Sequence, residues 1–159
     1  MTVSVDTSIE ARLEAIESRI AIEELLASYA QGFDQEDADR LRTIWHEDAE
    51  FDLGEVFGAY SGIDAIMQAT AGFWEAMEWM NHWMATPAIS ISGDKGTCVV
   101  GVDCMVHDNE KGPTMICGCY TDEFERRNGV WKFSRRNFEM YYFTPVKDWT
   151  PVLGRHAST

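Results

Sequence analysis

Residues 73–84, with the sequence Phe-Trp-Glu-Ala-Met-Glu-Trp-Met-Asn-His-Trp-Met, mark the point where the spacing of apolar side chains changes. Before this stretch apolar residues recur every three or four positions, which predicts helices; after it they alternate with other residues, which predicts strands. Most of these side chains are large and apolar, so we expect them to be buried. His82 is therefore an ionisable group in an apolar setting, where a nearby carboxylate would set its charge.

The order of helical and strand patterns predicts the fold class. Helical spacing covers about the first 45 residues and returns from Ile63 to about Met77, and a short strand pair is expected at about residues 50–60. Longer strands follow, at about residues 82–92, 97–107, 115–126 and 130–143, with Asn128-Gly129 as a hairpin turn between the last two. This order predicts an α+β fold, with one curved, mainly antiparallel sheet and the helices against its concave face.

Composition and charge limit the function. The 159 residues, 45% hydrophobic and 25% charged, predict one domain spanning residues 1–159, with an irregular tail after Pro145. No apolar run approaches the roughly 20 residues of a membrane helix, and the N-terminus lacks a secretory pattern, so a cytoplasmic location is expected. Residues 1–80 carry 18 Asp and Glu against 4 Lys and Arg, whereas residues 81–159 carry 9 of each. That acidic field repels phosphate backbones, so we expect no nucleic-acid partner.

The four cysteines are expected to be free thiols. Cys98 and Cys104 would share one face of a strand, and Cys117 and Cys119 would share one face of the next. Four thiolates could bind zinc, which is the alternative, but Cys-x-Cys within a strand is poor ligand spacing. The four histidines show no metal-ligand spacing, and the chain has no phosphate-binding glycine loop. Neither a metal nor a cofactor is therefore expected, and His46, beside Glu47 and Asp48, is expected at the surface.

Asp34 and His82 are the candidate acid–base pair. A general base needs a partner that fixes its tautomer and stabilises its charged form. Asp34 follows the first helix, where it could point into a cavity between helices and sheet, and His82 begins the first long strand. The alternative for Asp34 is a junction residue that binds nearby backbone amides, and for His82 a core histidine tied to a carbonyl.

The last strand supplies a candidate cation. Arg135 and Arg136 are neighbours, so one faces the helices and the other faces away. Arg136 alternates with Phe138, Met140 and Tyr142, which favours it for the pocket. Arg135 alternates with Trp131, Phe133 and Glu139, and could pair with Glu139 or with a neighbouring subunit.

Further candidates are weaker. Tyr29 lies on the helix stripe close to Asp34 and could donate a phenolic hydrogen bond, although core packing explains it equally well. Asp103 and His107 could line the same cavity, although a solvated strand end explains His107 better. The side chains expected to contact a substrate are Phe51, Tyr60, Trp74, Asp103, Phe138 and Met140.

Several stretches of the chain resemble the SnoaL-like branch of the nuclear-transport-factor-2-like superfamily. The resemblance spans roughly residues 8–146 and is most specific near the C-terminus. It rests on Ile-Ala-Ile-Glu-Glu-Leu (20–25), Gly-Phe-Asp (32–34), Ile-Trp-His-Glu-Asp-Ala-Glu (44–50), Tyr-Thr-Asp-Glu-Phe-Glu-Arg-Arg-Asn-Gly-Val-Trp-Lys-Phe-Ser (120–134) and Tyr-Phe-Thr-Pro (142–145).

The resemblance implies a cone-shaped α+β barrel, often trimeric, whose N-terminal helices close a deep pocket. Asp34 and His82 match the catalytic dyad of the family's dehydrochlorinases, and Arg136 matches their pocket arginine. Those enzymes lack a tyrosine at the position of Tyr29, although a dehydratase of the superfamily has one there. Their residue at the position of Phe138 is smaller, which implies a differently shaped pocket here, suited to an aromatic ligand.

The expected function is a cofactor-independent lyase. His82 would remove a proton, Asp34 would hold the ring, and Arg136 with Tyr29 would stabilise the departing group. The group expelled from a small hydrophobic substrate could be HCl, water or formaldehyde. The alternatives are an isomerase or polyketide cyclase, and a non-catalytic ligand binder or the small subunit of an aromatic-ring dioxygenase. A homo-oligomer is expected, with a trimer favoured over a dimer.

Overall fold

A computed structural model describes residues 8–148 of the chain. Helices lie mostly in the first half of this range and long strands in the second, as the sequence predicts. The helices are α1 (Ile9–Asp34), α2 (Ala38–Ile44), α3 (Gly54–Phe57) and α4 (Ile63–Ala76). The strands are β1 (Trp45–Asp52), β2 (Ala59–Ser61), β3 (Met77–Ser92), β4 (Lys95–Asp108), β5 (Gly112–Arg127) and β6 (Val130–Pro145). The expected tail lies mostly in residues 149–159, outside the described range.

The strands form one six-stranded sheet in the order β2-β1-β6-β5-β4-β3. All neighbours are antiparallel except β1 and β6, which are parallel. The α+β class and the curved, mainly antiparallel sheet are therefore confirmed. The expected cone-shaped fold is confirmed as well, and its sheet is not closed, because β2 and β3 remain its two edges. One face of the sheet, here called the inner face, packs against the helices and holds the core.

Helix α1 has two halves with different surroundings. It begins at Ser8, whose hydroxyl accepts a hydrogen bond from the amide of Ala11 at 3.1 Å. The second half buries the side chains that face the sheet, among them Ile22, Leu26 and Tyr29. The apolar stripe of the first half stays 49–77% exposed and is not part of the core. That exposed stripe consists of Ile9, Leu13, Ile16 and Ile20.

A β-bulge in β6 decides which residues of this strand face the helices. Phe133 pairs with Phe124 of β5, but the next pair is Arg135 with Glu123, so Ser134 is an extra residue. Trp131 and Phe133 are therefore on the same inner face as Arg136, and the expected grouping of Arg135 with them was wrong. A second shift, at Tyr141, turns Tyr142 outward, where it is 64% exposed.

We expect Gly118→Ala to destabilise the fold because β5 and β6 meet closely at this glycine. A methyl group at Gly118 would overlap the carbonyl oxygen of Glu139 and the ring of Phe138. Overpacking of this kind costs about 1–3 kcal/mol. Gly101→Ala is the matched control, because a methyl group there would meet only the carbonyl oxygen of Ala85, at 4.0 Å. The free energy of unfolding, measured in urea, should fall for the first variant only; equal values would contradict the expectation.

Candidate active site

An apolar cavity lies between α1 and the inner face of the sheet. The volume of this cavity is about 60 Å³. Every strand except β2 contributes to its wall. The lining residues are Tyr29, Phe33, Phe51, Leu53, Phe57, Phe73, Met77, Met80, His82, Val102, Cys104, Val106, Ile116, Tyr120 and Phe138. A cavity with this wall suits a small, mostly apolar molecule.

Asp34 and His82 are in direct contact at one side of the cavity. His82 Nδ1 lies 2.7 Å from Asp34 Oδ1, and the two side chains are only 7% and 5% exposed. The carboxylate also accepts the backbone N–H of His82, at 2.9 Å on Oδ2. Because a carboxylate accepts hydrogen bonds, the ring carries its proton on Nδ1, and Nε2 has the lone pair when the ring is neutral. This is the tautomer that a base acting through Nε2 requires.

The charge state of His82 depends on its neighbours. Burial opposes the charged ring, but the adjacent Cys104 and the Asp34 carboxylate outweigh burial and raise the pKa from 6.5 to about 10. Tyr29 and Phe33 pack their rings against the imidazole, with centroids 5.7 and 5.6 Å away. The pair is thus held in a dry setting where its electrostatic interaction is strong.

Two tyrosine hydroxyls meet beside the pair. Tyr29 and Tyr120 both line the cavity, and their hydroxyl oxygens are 3.3 Å apart. Burial raises the pKa of Tyr29 to about 12 and that of Tyr120 well above 10, so both are neutral phenols near pH 7. Only one of the two protons can occupy the bond between them. The other proton is therefore available for a bound molecule.

Arg136 lies behind the tyrosines and does not line the cavity. It is fully buried and binds Asp122 through two hydrogen bonds, Nε to Oδ1 at 2.7 Å and Nη2 to Oδ2 at 2.6 Å. Its guanidinium carbon lies 4.0 Å from the ring centroid of Tyr29 and 4.1 Å from that of Tyr120. Cation–π contacts of this kind contribute up to about 2 kcal/mol when desolvated. Arg136 thus fixes both tyrosine rings and acts on the cavity through them.

The other expected substrate contacts divide into two groups. Phe51 and Phe138 line the cavity. Tyr60, Trp74 and Met140 pack behind the wall instead. Trp74 Nε1 donates to the carbonyl of Phe33 at 3.0 Å, which ties α4 to the end of α1. Tyr60 donates to the carbonyl of Phe57 at 2.6 Å and packs on the rings of Phe51 and Phe73.

Asp103 and His107 do not reach the cavity. Their positions in β4 alternate with Val102, Cys104 and Val106, so they lie on the outer face of the sheet. Asp103 instead borders a shallow outer groove together with Trp83, which is 74% exposed despite its apolar neighbours in sequence.

The structure also decides three further predictions, which concern Arg135, His46 and the four cysteines. Arg135 is exposed and lies 3.5 Å from Glu50, not beside Glu139. His46 is buried and pairs with the carbonyl of Glu125 at 2.9 Å, so its expected surface position was wrong. Cys98 and Cys104 face inward while Cys117 and Cys119 face outward, so the four thiols do not converge on one zinc ion.

Sequence reasoning missed three residues of this site: Cys104, Tyr120 and Asp122. Tyr120 and Asp122 alternate along β5, so both face inward. The available signal was an aspartate at a core-facing strand position, since a buried carboxylate requires a cation and Arg136 pairs with it across the strands.

Comparison with known proteins identifies the family. Residues 14–137 match the model of the SnoaL-like domain, which is most of the chain. The chain belongs to the SnoaL-like family. This SnoaL-like protein is 34% identical over 139 residues to hexachlorocyclohexane dehydrochlorinase 1 of Sphingobium indicum, with 84% of this chain and 88% of that one covered. It is 33% identical to the gamma-hexachlorocyclohexane dehydrochlorinase of the same species, over 84% and 87% of the two chains.

Solved structures agree with this assignment. The SnoaL-like protein superposes on the crystal structure of a type 2 hexachlorocyclohexane dehydrochlorinase with a TM-score of 0.84 and 32% identity, covering 89% of this chain and 98% of that one. A putative scytalone dehydratase from Novosphingobium aromaticivorans shares the fold, with a TM-score of 0.74, 23% identity and coverage of 89% and 97%. The dehydrochlorinases are lyases, the enzyme class expected from the sequence.

Proposed function

We propose that this SnoaL-like protein is a cofactor-independent lyase that removes a proton and a small leaving group from a hydrophobic molecule. The observation that carries the proposal is the 2.7 Å contact between Asp34 and His82 at the wall of an apolar cavity. Such a contact orients the imidazole and stabilises the cation that forms when the ring accepts a proton. Relatives at 33–34% identity that are named dehydrochlorinases support the same class of reaction.

In the proposed step, neutral His82 takes a proton from a substrate carbon through Nε2. The electron pair of the broken C–H bond forms the new double bond, and the leaving group departs with the pair of its own bond. Asp34 stabilises the imidazolium, and the free hydroxyl proton of Tyr29 or Tyr120 faces the negative charge that develops on the leaving group. Arg136, stacked on both rings at about 4 Å, keeps the phenols in place and polarises them.

The leaving group is proposed to be chloride, with water and formaldehyde as the other candidates. Formaldehyde would leave by a retro-aldol cleavage of an aromatic diol, in which the same base removes a hydroxyl proton.

The proposal is tested by treating the protein with a metal chelator and then incubating it with hexachlorocyclohexane and with aromatic alcohols and diols. Chloride release and product mass are then measured: a loss of HCl, water or formaldehyde supports a lyase. A product of unchanged mass would instead favour an isomerase, and no turnover of any compound would favour a binding protein.

The rate should increase with pH. Only neutral His82 can accept a proton, and Cys104 and Asp34 raise its pKa from 6.5 to about 10 against the opposing effect of burial. We therefore expect kcat/KM to rise about tenfold per pH unit between about pH 6 and pH 9. Asp34→Asn should move this limb to lower pH, because it removes one of the groups that stabilise the imidazolium. A pH-independent kcat/KM over this range, measured in the wild type, would contradict the assignment of His82 as the base.

We also propose a cytoplasmic homo-oligomer, with a trimer favoured over a dimer. Exposed apolar side chains on the outer face support the homo-oligomer, because a contact between subunits would bury them. They are Trp83, Val99, Tyr141 and Tyr142, which are 50–74% exposed. Light scattering after gel filtration measures the mass directly, and a value of about 18.1 kDa would indicate a monomer and contradict the proposal. Within residues 8–148, no helix is both long enough and apolar enough to span a bilayer.

A further inference from the structure

Cys104 lies directly across the strand pair from His82. The two residues are register partners between β3 and β4, and both line the cavity. The thiol contributes to the raised pKa of the imidazole, and the side chains of Tyr29 and Tyr120 line the same cavity. Cys104 therefore belongs to a cluster of groups that can exchange protons, all of which face the same small space.

Cys104, His82 and Asp34 are arranged as a nucleophile, a base and a carboxylate that orients the base. Nδ1 of His82 is hydrogen-bonded to Asp34, so Nε2 is the ring nitrogen that can accept the thiol proton. A thiol beside a base that is itself held by a carboxylate is the arrangement used for thiolate nucleophiles. Cys98, on the same strand face, lacks such a partner: it is 1% exposed, and burial raises the pKa of its thiol to about 11.

We propose that Cys104 is a nucleophile that captures small, uncharged Michael acceptors inside the cavity with the help of His82 and Asp34. His82 accepts the thiol proton, and the sulfur bonds to one carbon of the activated alkene. The alkene π pair moves to the carbonyl oxygen as an enolate, and the proton returns from His82 to the neighbouring carbon. The product is a thioether that retains every atom of the thiol and the alkene.

The wall of the cavity sets the class of electrophile. Apart from His82, Cys104 and the two tyrosine hydroxyls, the lining side chains are aliphatic, aromatic or methionine, and none of them is charged. A charged reagent would lose its hydration there without compensation. The small volume of the cavity, about 60 Å³, favours a small molecule.

Site-resolved alkylation of the folded protein tests this inference. N-ethylmaleimide is the probe, and the rate at each cysteine is followed by mass spectrometry of peptides. We expect Cys104 to be labelled in the wild type, and we expect the rate at Cys104 to fall about 10²-fold in His82→Asn, the lower range of acid–base assistance. Cys117 and Cys119 on the outer face are internal controls whose rates should stay unchanged. Asp34→Asn, which keeps the imidazole, should lower the rate at Cys104 in the same direction.

The outcomes separate this inference from the proposed lyase activity, because labelling requires no turnover. Unmodified Cys104 in a sample whose Cys117 and Cys119 are labelled would overturn it, as would equal rates at Cys104 in the wild type and both variants. A maleimide carrying a sulfonate should label the outer thiols but not Cys104. Equal labelling of Cys104 by the charged and uncharged reagents would contradict entry through the apolar cavity. An active lyase with an inert Cys104 would leave the proposed function standing.

Discussion

His82→Ala should lower kcat for elimination by about 10²- to 10⁴-fold, the usual contribution of a positioned general base. Among residues 8–148, the imidazole is the one group at the cavity wall that both accepts protons when neutral and contacts a carboxylate, at 2.7 Å. Removing it leaves binding in the cavity intact, so KM should change much less than kcat. Steady-state kinetics on whichever substrate is turned over measure both values.

His107→Ala is the matched control for this variant. His107 also lies on the sheet and contacts a carboxylate, with Nδ1 2.6 Å from Glu78, but it sits on the outer face. Its loss should leave kcat within a factor of about two. Circular dichroism of both variants separates a catalytic effect from unfolding. Equal losses in the two variants, or an unchanged rate in His82→Ala, would remove His82 from the mechanism.

Asp122→Asn should lower the free energy of unfolding by about 3–5 kcal/mol, the usual cost of removing one partner from a buried ion pair. Both side chains are fully buried, and burial raises the pKa of Asp122 while the facing guanidinium opposes that effect. The two hydrogen bonds at 2.6 and 2.7 Å keep the pair charged near pH 7. The variant would leave the charge of Arg136 without a counterion between two tyrosine rings. Urea denaturation provides the measurement.

Two further variants define the origin of this effect. Glu123→Gln changes the adjacent carboxylate, which is exposed on the outer face, and should stay within about 0.5 kcal/mol of the wild type. Asp122→Leu combined with Arg136→Met removes both charges and should recover part of the lost stability. If Asp122→Asn is no less stable than Glu123→Gln, the ion pair does not hold this part of the fold together. If the double variant is the least stable, hydrogen bonding across β5 and β6 matters more than charge.

The sequence predicts the fold well because two periodicities dominate it. Apolar spacing of three and four residues changes to alternation near Met77, and the structure ends α4 and begins β3 there. What alternation cannot reveal is a bulge, since one extra residue inverts the faces of all that follow. Arg136 was therefore placed correctly on one face with Phe138 and Met140, whereas Trp131 and Phe133, which precede the bulge, were wrongly grouped with Arg135. Long-range contacts leave no local signal in the sequence: Tyr29 and Tyr120, whose hydroxyls meet, lie 91 positions apart.

The residues alone made Asp34 and His82 a candidate pair with bland alternatives, and the family resemblance was what favoured their contact. No local pattern relates two residues that lie 48 positions apart. The structure makes Asp34 the last residue of α1, where the helix dipole disfavours a carboxylate. In the structure the His82 ring and backbone amide both bind this carboxylate and offset that cost. A locally unfavourable residue at a helix end is thus a clue to function.

The extra residue at Ser134 also bears on how this chain tolerates changes of length. Because Ser134 is the residue that the bulge adds, its deletion would keep the pairs Phe133–Phe124 and Arg136–Asp122 and restore regular alternation. A one-codon insertion between Arg136 and Phe138 would instead carry Phe138 out of the cavity wall. Most single substitutions at Ser134, a half-buried position, should likewise be far milder than that insertion. Homologues should accordingly tolerate a change of length at Ser134 better than one between Arg136 and Phe138.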